Sequence, residues 1–301
     1  MRPTWLPTDL FPPPSHFVDV LGCRVHYVDQ GTGPTLLMLH GNPTYSFVYR
    51  HLIAGLGDRF RCVALDYPGF GLSTARAGYG FTPGEHAAVL SAFVESLHLC
   101  DLTLVMQDWG GPIGLGFAGL QPQRVRALVI GNTWAWPLDG ELLFEIVGRV
   151  VGGPVGGFLI RNFNLGVNVL LPLGIRRKRL DARELAAYRG PFSTRAAREP
   201  THVFPRQALA ARDYLARVRD NLPKLASLPV LFVWGDRDRA LDARQRHRFE
   251  ALLPNHRTVI LHGASHFIQE DAPEEIVVAL RAWWDECVEP ARPAAAARSL
   301  S

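Results

Sequence analysis

The sequence LTLVMQDWGG, residues 102–111, joins an apolar run to a pair of glycines. The apolar run is typical of a buried strand, and Ile113, Leu115 and Phe117 beyond the glycines indicate the start of a helix. A sharp strand-to-helix turn with a reactive side chain at its apex is a nucleophile elbow. The apex residue here is Asp108, whose carboxylate is ionised at pH 7 and can attack an electrophilic carbon without help from a base. Asp108 would also suit the N-cap of the following helix, so the rest of the chain has to decide between the two roles.

Predicted strands alternate with predicted helices over most of the chain. A hairpin is predicted at 17–20 and 24–29, further strands at 35–39, 61–65, 102–106, 125–131, 230–234 and 258–262, and helices at 47–56, 85–99, 243–253 and 273–284. This alternation predicts an α/β fold with a mostly parallel central sheet flanked by helices. It breaks between Asn132 and Leu228, which predicts a helical cap inserted after the sixth strand, over the strand carboxyl ends where ligands bind in such folds. We therefore expect a core of 1–132 and 229–290, a cap of 133–228 and a disordered tail of 291–301.

The composition narrows the class of protein. A hydrophobic fraction of 48% in 301 residues supports a large core, and a net charge of +4 does not favour nucleic-acid binding. The basic run 176–179 has no interleaved aromatic residues and is interpreted as solvated surface. No segment has the length of a membrane span and no signal peptide is visible, so we expect no membrane partner. Four widely spaced cysteines without a C-x-x-C pattern favour free thiols in a reducing, cytoplasmic compartment over a zinc site.

Polar residues follow the ends of the predicted strands. They are His40, Asn42, Asp108, Asn132, Asp238 and, after the last strand, His266. A lone histidine is more often structural than catalytic. The chain order of Asp108, Asp238 and His266 is nevertheless that of a nucleophile, acid and histidine triad. This order predicts His266 as the general base and Asp238 as the carboxylate that orients it.

Several motifs together resemble haloalkane dehalogenases of the α/β-hydrolase superfamily. They are HGNPTYSFVYR from His40, DYPGFGLS from Asp66, QDWGGP from Gln107, REPTHVFPR from Arg198, WGDRD from Trp234 and SHFIQEDAP from Ser265. The resemblance extends from about Phe17 to Trp284. Epoxide hydrolases share a similar D-W-G, but they usually have an aromatic residue at the position of Asn42.

The resemblance implies that Asn42 and Trp109 bind the departing halide. An amide and an indole N–H can donate to a developing negative charge without carrying a charge themselves. The alternative roles are a turn residue before Pro43 for Asn42 and core packing for Trp109.

The resemblance also bears on the orienting acid. One dehalogenase subfamily has a glutamate at the position of Asn132, which is not an acid in this chain. The chain is more similar to the subfamily that combines the Asn–Trp halide pair with a later aspartate. Asp238 is preferred over Asp236 because it is fourth in the family's G-x-x-D pattern, counted from Gly235.

The predicted function is hydrolysis of a small halogenated aliphatic substrate to an alcohol and a halide through an ester on Asp108, with no metal or organic cofactor. The backbone N–H groups of Asn42 and Trp109 are the expected oxyanion hole. Oligomerisation is left open. Candidate pocket-lining aromatics are Trp134, Trp136, Phe144, Phe158, Phe163 and Phe204.

Two alternative functions remain at the level of the sequence. An epoxide hydrolase would use the same nucleophile and would need cap tyrosines as proton donors, for which Tyr188 and Tyr214 are available. A binding protein without catalytic activity is the other, although a complete set of nucleophile, base and acid argues against it.

Overall fold

An eight-stranded sheet in the order β1-β2-β4-β3-β5-β6-β7-β8 forms the centre of the computed structural model, which describes residues 2–289. β1 and β4 pair antiparallel with β2, and all remaining neighbours are parallel. The strands are β1 (Ser15–Val20), β2 (Cys23–Gln30), β3 (Thr35–Leu39), β4 (Arg61–Leu65), β5 (Leu102–Gln107), β6 (Val125–Gly131), β7 (Val230–Gly235) and β8 (His256–Leu261).

Helices cover the sheet and fill the interval between β6 and β7. The α-helices are α1 (Arg50–Leu56), α2 (Pro83–Ser96), α3 (Gly110–Leu120), α4 (Leu142–Ile146), α5 (Pro154–Phe163), α6 (Leu171–Leu173), α7 (Ala182–Arg189), α8 (Glu199–Ala210), α9 (Arg212–Asn221), α10 (Ala243–Leu252), α11 (Ile268–Asp271) and α12 (Pro273–Trp283). Three short π-helical segments adjoin these helices. Val147–Val151 extends α4, Gly166–Leu170 precedes α6, and Trp284–Val288 follows α12.

The α/β architecture predicted from the sequence is confirmed. Strands β3, β4 and β6 have the predicted bounds, and the hairpin lies where Leu21 and Gly22 separate β1 from β2. The last strand begins two residues earlier than expected, at His256. Its first two residues, His256 and Arg257, are polar and exposed, so they lack the apolar pattern that indicates a strand. Only helices occur between β6 and β7, as expected for the cap. The predicted tail of 291–301 lies outside the described residues.

The parallel strands bring the predicted site residues to one edge of the sheet. Leu39 is in register with Met106, and Gln107 with Gly131, so β3, β5 and β6 end side by side. β7 continues the same edge beside β6. Residues that follow these strands therefore converge, although they are far apart in sequence.

A buried ionic cluster joins the cap to the core. Arg50 of α1 contacts Glu184 of α7 at 2.6 Å and Glu270 of α11 at 2.5 Å. Lys178 contacts Glu270 at 2.9 Å, and the Tyr188 hydroxyl donates to the same carboxylate at 2.5 Å. The expectation that the whole basic run is solvated was therefore wrong for Lys178, which is half-buried because these carboxylates hold it against the core.

Candidate active site

The turn between β5 and α3 holds Asp108 in a left-handed conformation with φ of 50°. A non-glycine residue rarely adopts this region unless its surroundings impose it. The close packing of the neighbouring strand supplies that constraint. A Cβ atom at Gly110 would lie 2.0 Å from the Leu39 carbonyl oxygen, and one at Gly41 would lie 2.3 Å from Asp108 Oδ1. The elbow therefore depends on glycines at both positions.

His266 lies between two aspartates. Its Nδ1 is 2.8 Å from Asp238 Oδ2, and its Nε2 is 3.5 Å from Asp108 Oδ2. Asp238 is buried, and its other oxygen accepts hydrogen bonds from the backbone N–H groups of Ala240 and Leu241. The structure thus brings the three predicted triad members together.

The rival acid Asp236 takes part in a different contact. Its carboxylate lies 3.0 Å from His262 Nδ1 and accepts a hydrogen bond from the Gly263 N–H at 2.7 Å, both on an exposed turn. It has no contact with His266 among the described hydrogen bonds and salt bridges. The geometry favours Asp238 over Asp236 as the orienting carboxylate.

Asn132 supports the acid, although it is not one itself. Its amide Nδ2 donates to Asp238 Oδ2 at 3.2 Å, and its Oδ1 accepts from the Gly235 N–H at 2.8 Å. The side chain therefore joins the end of β6 to the turn after β7 and orients the carboxylate that faces His266. The sequence placed Asn132 at a strand end but gave no sign of this supporting role.

Gln107 is a further neighbour of the base that the sequence analysis did not assign. Its Nε2 donates to the His266 carbonyl oxygen at 3.0 Å and lies 3.2 Å from His266 Nε2. An N–H at that distance favours an unprotonated Nε2 as acceptor. The signals in the sequence were its position directly before Asp108 and its place in the QDWGGP motif.

Opposing effects act on the charge of His266. Burial lowers its pKa, but the carboxylates of Asp238 and Asp108 outweigh burial and raise the pKa to about 10. Burial raises the pKa of Asp238, whereas His266 and the backbone N–H donors lower it, and the net shift is downward. The resting site therefore favours an imidazolium between two carboxylates, with the Gln107 amide as the opposing influence.

Asn42 and Trp109 both lie in the wall of the cavity that contains Asp108. The backbone N–H of Asn42 donates to Asp108 Oδ1 at 2.7 Å, and its side-chain Nδ2 is 3.4 Å from the Thr201 carbonyl oxygen, a long contact. Within residues 2–289, the Trp109 indole N–H has no hydrogen-bond partner in the protein, and its backbone N–H makes no hydrogen bond to the Asp108 carboxylate. Of the two expected oxyanion donors, only Asn42 therefore makes the contact.

The cavity has a volume of about 370 Å³ and a mostly apolar wall. Trp134 and Phe144 line it as predicted. Phe204 stacks on Trp109 with ring centroids 5.0 Å apart. Phe204 and three other candidate aromatics are not in the cavity wall, so the prediction was wrong for four of the six. Trp136 packs in the core against Phe249. Phe158 and Phe163 face outward because α5 turns Gly156, Gly157 and Ile160 inward.

The two tyrosines considered for epoxide opening are engaged elsewhere. Tyr188 donates to Glu270 in the ionic cluster, and Tyr214 donates to the Pro112 carbonyl oxygen at 2.9 Å. Neither lines the cavity. Among residues 2–289, the cavity wall therefore contains no tyrosine that could donate a proton to a bound epoxide.

One group of potential metal ligands lies close together within residues 2–289, namely His51, Glu184 and Glu270. Arg50 and Lys178 already contact both carboxylates of this group. With two cations in place, the group does not suit a metal ion.

Comparison with known proteins connects this geometry to a family. Residues 34–273 match the family model of the α/β hydrolase fold. The chain is 44% identical to haloalkane dehalogenase 2 of Mycobacterium tuberculosis over 90% of this chain and 95% of the relative. It is 34% identical to a cis-3-alkyl-4-alkyloxetan-2-one decarboxylase of Xanthomonas campestris, over 87% and 92%. The crystal structure of the haloalkane dehalogenase DbeA from Bradyrhizobium elkani superposes with a TM-score of 0.82 at 28% identity, covering 90% and 97% of the two chains.

Proposed function

Because the chain belongs to the haloalkane dehalogenases of the α/β hydrolase fold, we propose that it hydrolyses carbon–halogen bonds through a covalent ester on Asp108. The contact of His266 with both Asp238 and Asp108 carries this proposal. An aspartate in a strained elbow suits attack at carbon, and a histidine beside it suits hydrolysis of the resulting ester.

The first step is a displacement at the carbon that bears the halogen. Asp108 Oδ2 attacks, since Oδ1 is engaged by the Asn42 N–H. The carbon–halogen bond breaks, and the halide departs toward the Asn42 amide and the Trp109 indole. These donors matter most as charge develops on the halogen, and one such donor contributes about 3 kcal/mol to lowering the barrier in comparable sites.

The second step is hydrolysis of the ester. His266 accepts a proton from water, and the water oxygen attacks the Asp108 carboxyl carbon. The Asn42 N–H stabilises the oxyanion at Oδ1. Collapse breaks the bond between the carboxyl carbon and Oδ2, and the departing alkoxide takes the proton held by His266 and leaves as the alcohol. The second proton of the attacking water is lost to solvent, which restores the carboxylate. Asp238 stabilises the imidazolium, and Asn132 orients Asp238.

The first step prepares the base for the second. Asp108 is one of the two carboxylates that raise the pKa of His266. Alkylation removes its charge, so the pKa of His266 falls and the ring more readily loses its proton. The resting imidazolium is therefore compatible with a later role as general base.

The test is the release of halide and alcohol in equal amounts from a panel of brominated and chlorinated alkanes. Asp108→Ala, which lacks the nucleophile, should release neither. Halide release by Asp108→Ala at the rate of the unaltered protein would contradict the proposal.

The decarboxylase relative favours a second candidate reaction, the loss of carbon dioxide from a dialkyl oxetan-2-one. Such a substrate has two apolar chains and a strained ring that a carboxylate could open. Carbon dioxide release from a cis-3,4-dialkyl oxetan-2-one, measured beside halide release from a bromoalkane, separates the two reactions. We expect halide release to dominate because the curated dehalogenase relative is more similar to this chain.

A cytoplasmic location is also proposed. Its support is the state of the cysteines, since Cys23, Cys62, Cys100 and Cys287 are all free.

A further inference from the structure

The cap exposes an unusual concentration of apolar side chains. Ten of the fourteen large apolar residues that the described chain exposes lie between Leu142 and Leu173. We call these ten residues the apolar face. It includes Phe158 and Phe163 of α5, whose exposed fractions are 58% and 61%. Scattered apolar residues are normal on a protein surface, but ten of them concentrated in one segment of the cap indicate an interaction.

The apolar face adjoins the entrance of the active-site cavity. Leu143, Leu170 and Leu173 belong both to the face and to the cavity wall. The surface that is poorly suited to water therefore lies beside the passage through which an apolar substrate must enter.

Arginines stand at the same entrance. Arg176, Arg237 and Arg239 line the cavity together with Leu143 and Leu173. Arg176 and Arg239 make no ion pair among the described residues, and Arg237 approaches Asp236 only to 3.7 Å. Apolar side chains beside unpaired arginines are the combination that binds an anionic lipid surface.

We propose that the apolar face docks on an anionic lipid bilayer, so that haloalkane dissolved in the lipid enters the cavity without crossing water. The sequence-based expectation of no membrane partner concerned spanning segments, and surface docking needs none. Within residues 2–289, no single helix could span a bilayer. Two consecutive helices, Leu142–Val151 and Pro154–Phe163, are long and apolar enough for a span only when they are taken together, and they are bent relative to each other.

A second copy of the chain is a poorer occupant of the face. In a symmetric dimer the same patch faces itself. Two cavity entrances would then be covered, and their unpaired arginines would be brought together. An anionic bilayer suits both the open cavity and the arginines, because it delivers apolar substrate to the entrance and supplies negative charge.

The experiment is co-sedimentation of the full chain with vesicles that contain phosphatidylglycerol, and with vesicles of phosphatidylcholine alone. We expect binding to the anionic vesicles that weakens as salt is raised. The double variant Phe158→Ser/Phe163→Ser should bind at least tenfold more weakly. The matched control is Leu120→Ser/Val278→Ser, which removes two exposed apolar residues far from the face in sequence and should bind as the unaltered protein does.

Activity gives a second readout. All three proteins should turn over a short, water-dissolved bromoalkane at the same rate. The unaltered protein and the control should release halide from a long bromoalkane faster when it is supplied in anionic vesicles than in phosphatidylcholine vesicles. The Phe158/Phe163 variant should show no such difference. Sedimentation needs no turnover, so an inactive protein that binds vesicles would refute the proposed function and leave the docking intact.

Two results would overturn the proposal. One is equal sedimentation of the Phe158/Phe163 variant and the unaltered protein. The other is that the unaltered protein does not bind vesicles and is a dimer by light scattering, whereas the Phe158/Phe163 variant is a monomer. That outcome would assign the face to self-association.

Discussion

The exchange of Asp238 for asparagine separates the two chemical steps. The carboxylate lies 2.8 Å from His266 Nδ1, and its side chain is 3% exposed. At an effective dielectric constant of about 20, a charge pair at that distance interacts by roughly 6 kcal/mol. Since 1.36 kcal/mol corresponds to a factor of ten, we expect ester hydrolysis to slow by about 10⁴. Alkylation of Asp108 needs no base and should proceed at close to its normal rate.

The assay is rapid-quench measurement of halide release. The Asp238→Asn variant should show a burst of about one halide per site followed by a much slower steady state. Asp236→Asn is the matched control, because it neutralises an exposed aspartate two residues away that contacts His262 rather than His266. It should retain activity within roughly twofold, as exposed substitutions usually do. If Asp236→Asn proved the more damaging of the two, the assignment of the acid would be refuted.

Three further predictions concern the halide donors, the elbow and the ionic cluster. Asn42→Ala and Trp109→Phe should each lower the rate of halide release by about a hundredfold with a smaller effect on substrate binding, and near-normal turnover of bromoalkanes by both would remove the halide assignment. Gly41→Ala should reduce activity at least a hundredfold, because the added Cβ would displace Asp108 Oδ1. The control Gly84→Ala should remain active, because its added Cβ would meet only Tyr214, at 3.6 Å. Arg50→Met should lower the free energy of unfolding in urea by about 3 to 5 kcal/mol, because the buried carboxylates of Glu184 and Glu270 each lose a charged partner. The exposed Arg183→Met should lower it by less than about 1 kcal/mol, and similar losses in the two variants would contradict the role of the cluster.

The ionic cluster also predicts how stability depends on pH. Burial raises the pKa of Glu270, but Arg50 and Lys178 outweigh it and hold the pKa at about 2, below its ordinary value of 4.5. The carboxylate therefore stabilises the fold fully above about pH 4.5, and this contribution is lost as the pH falls toward 2. Glu270→Gln should show a smaller decline in unfolding free energy over that window. An unchanged decline would show that Glu270 is not the group responsible.

The elbow could be predicted because its signal is local, whereas the triad assignment rested on chain order and on the family resemblance. Asp108 follows an apolar strand and precedes two glycines, and parallel strands carry Asn42 and Asp238 to the same sheet edge. The contacts of Gln107 and Asn132 could not be predicted, since they depend on how side chains meet across that edge.

The cap was harder to predict because its helices are apolar on more than one side. Phe144 and Phe158 both lie in apolar cap helices, yet Phe144 lines the cavity and Phe158 faces outward. Only the packing of the cap against the core decides which side is covered. The same ambiguity concealed the apolar face, since exposed and buried apolar residues look alike in a sequence.

The most direct test of the two-step mechanism is the intact mass of His266→Phe after incubation with a bromoalkane that the unaltered protein turns over. Asp108 should still be alkylated, whereas water should lack the base it needs to attack the ester. We expect one halide released per site, a mass increase equal to the alkyl group, and its location on Asp108 by peptide mapping. A folded His266→Phe protein that remains unmodified after long exposure would contradict the mechanism.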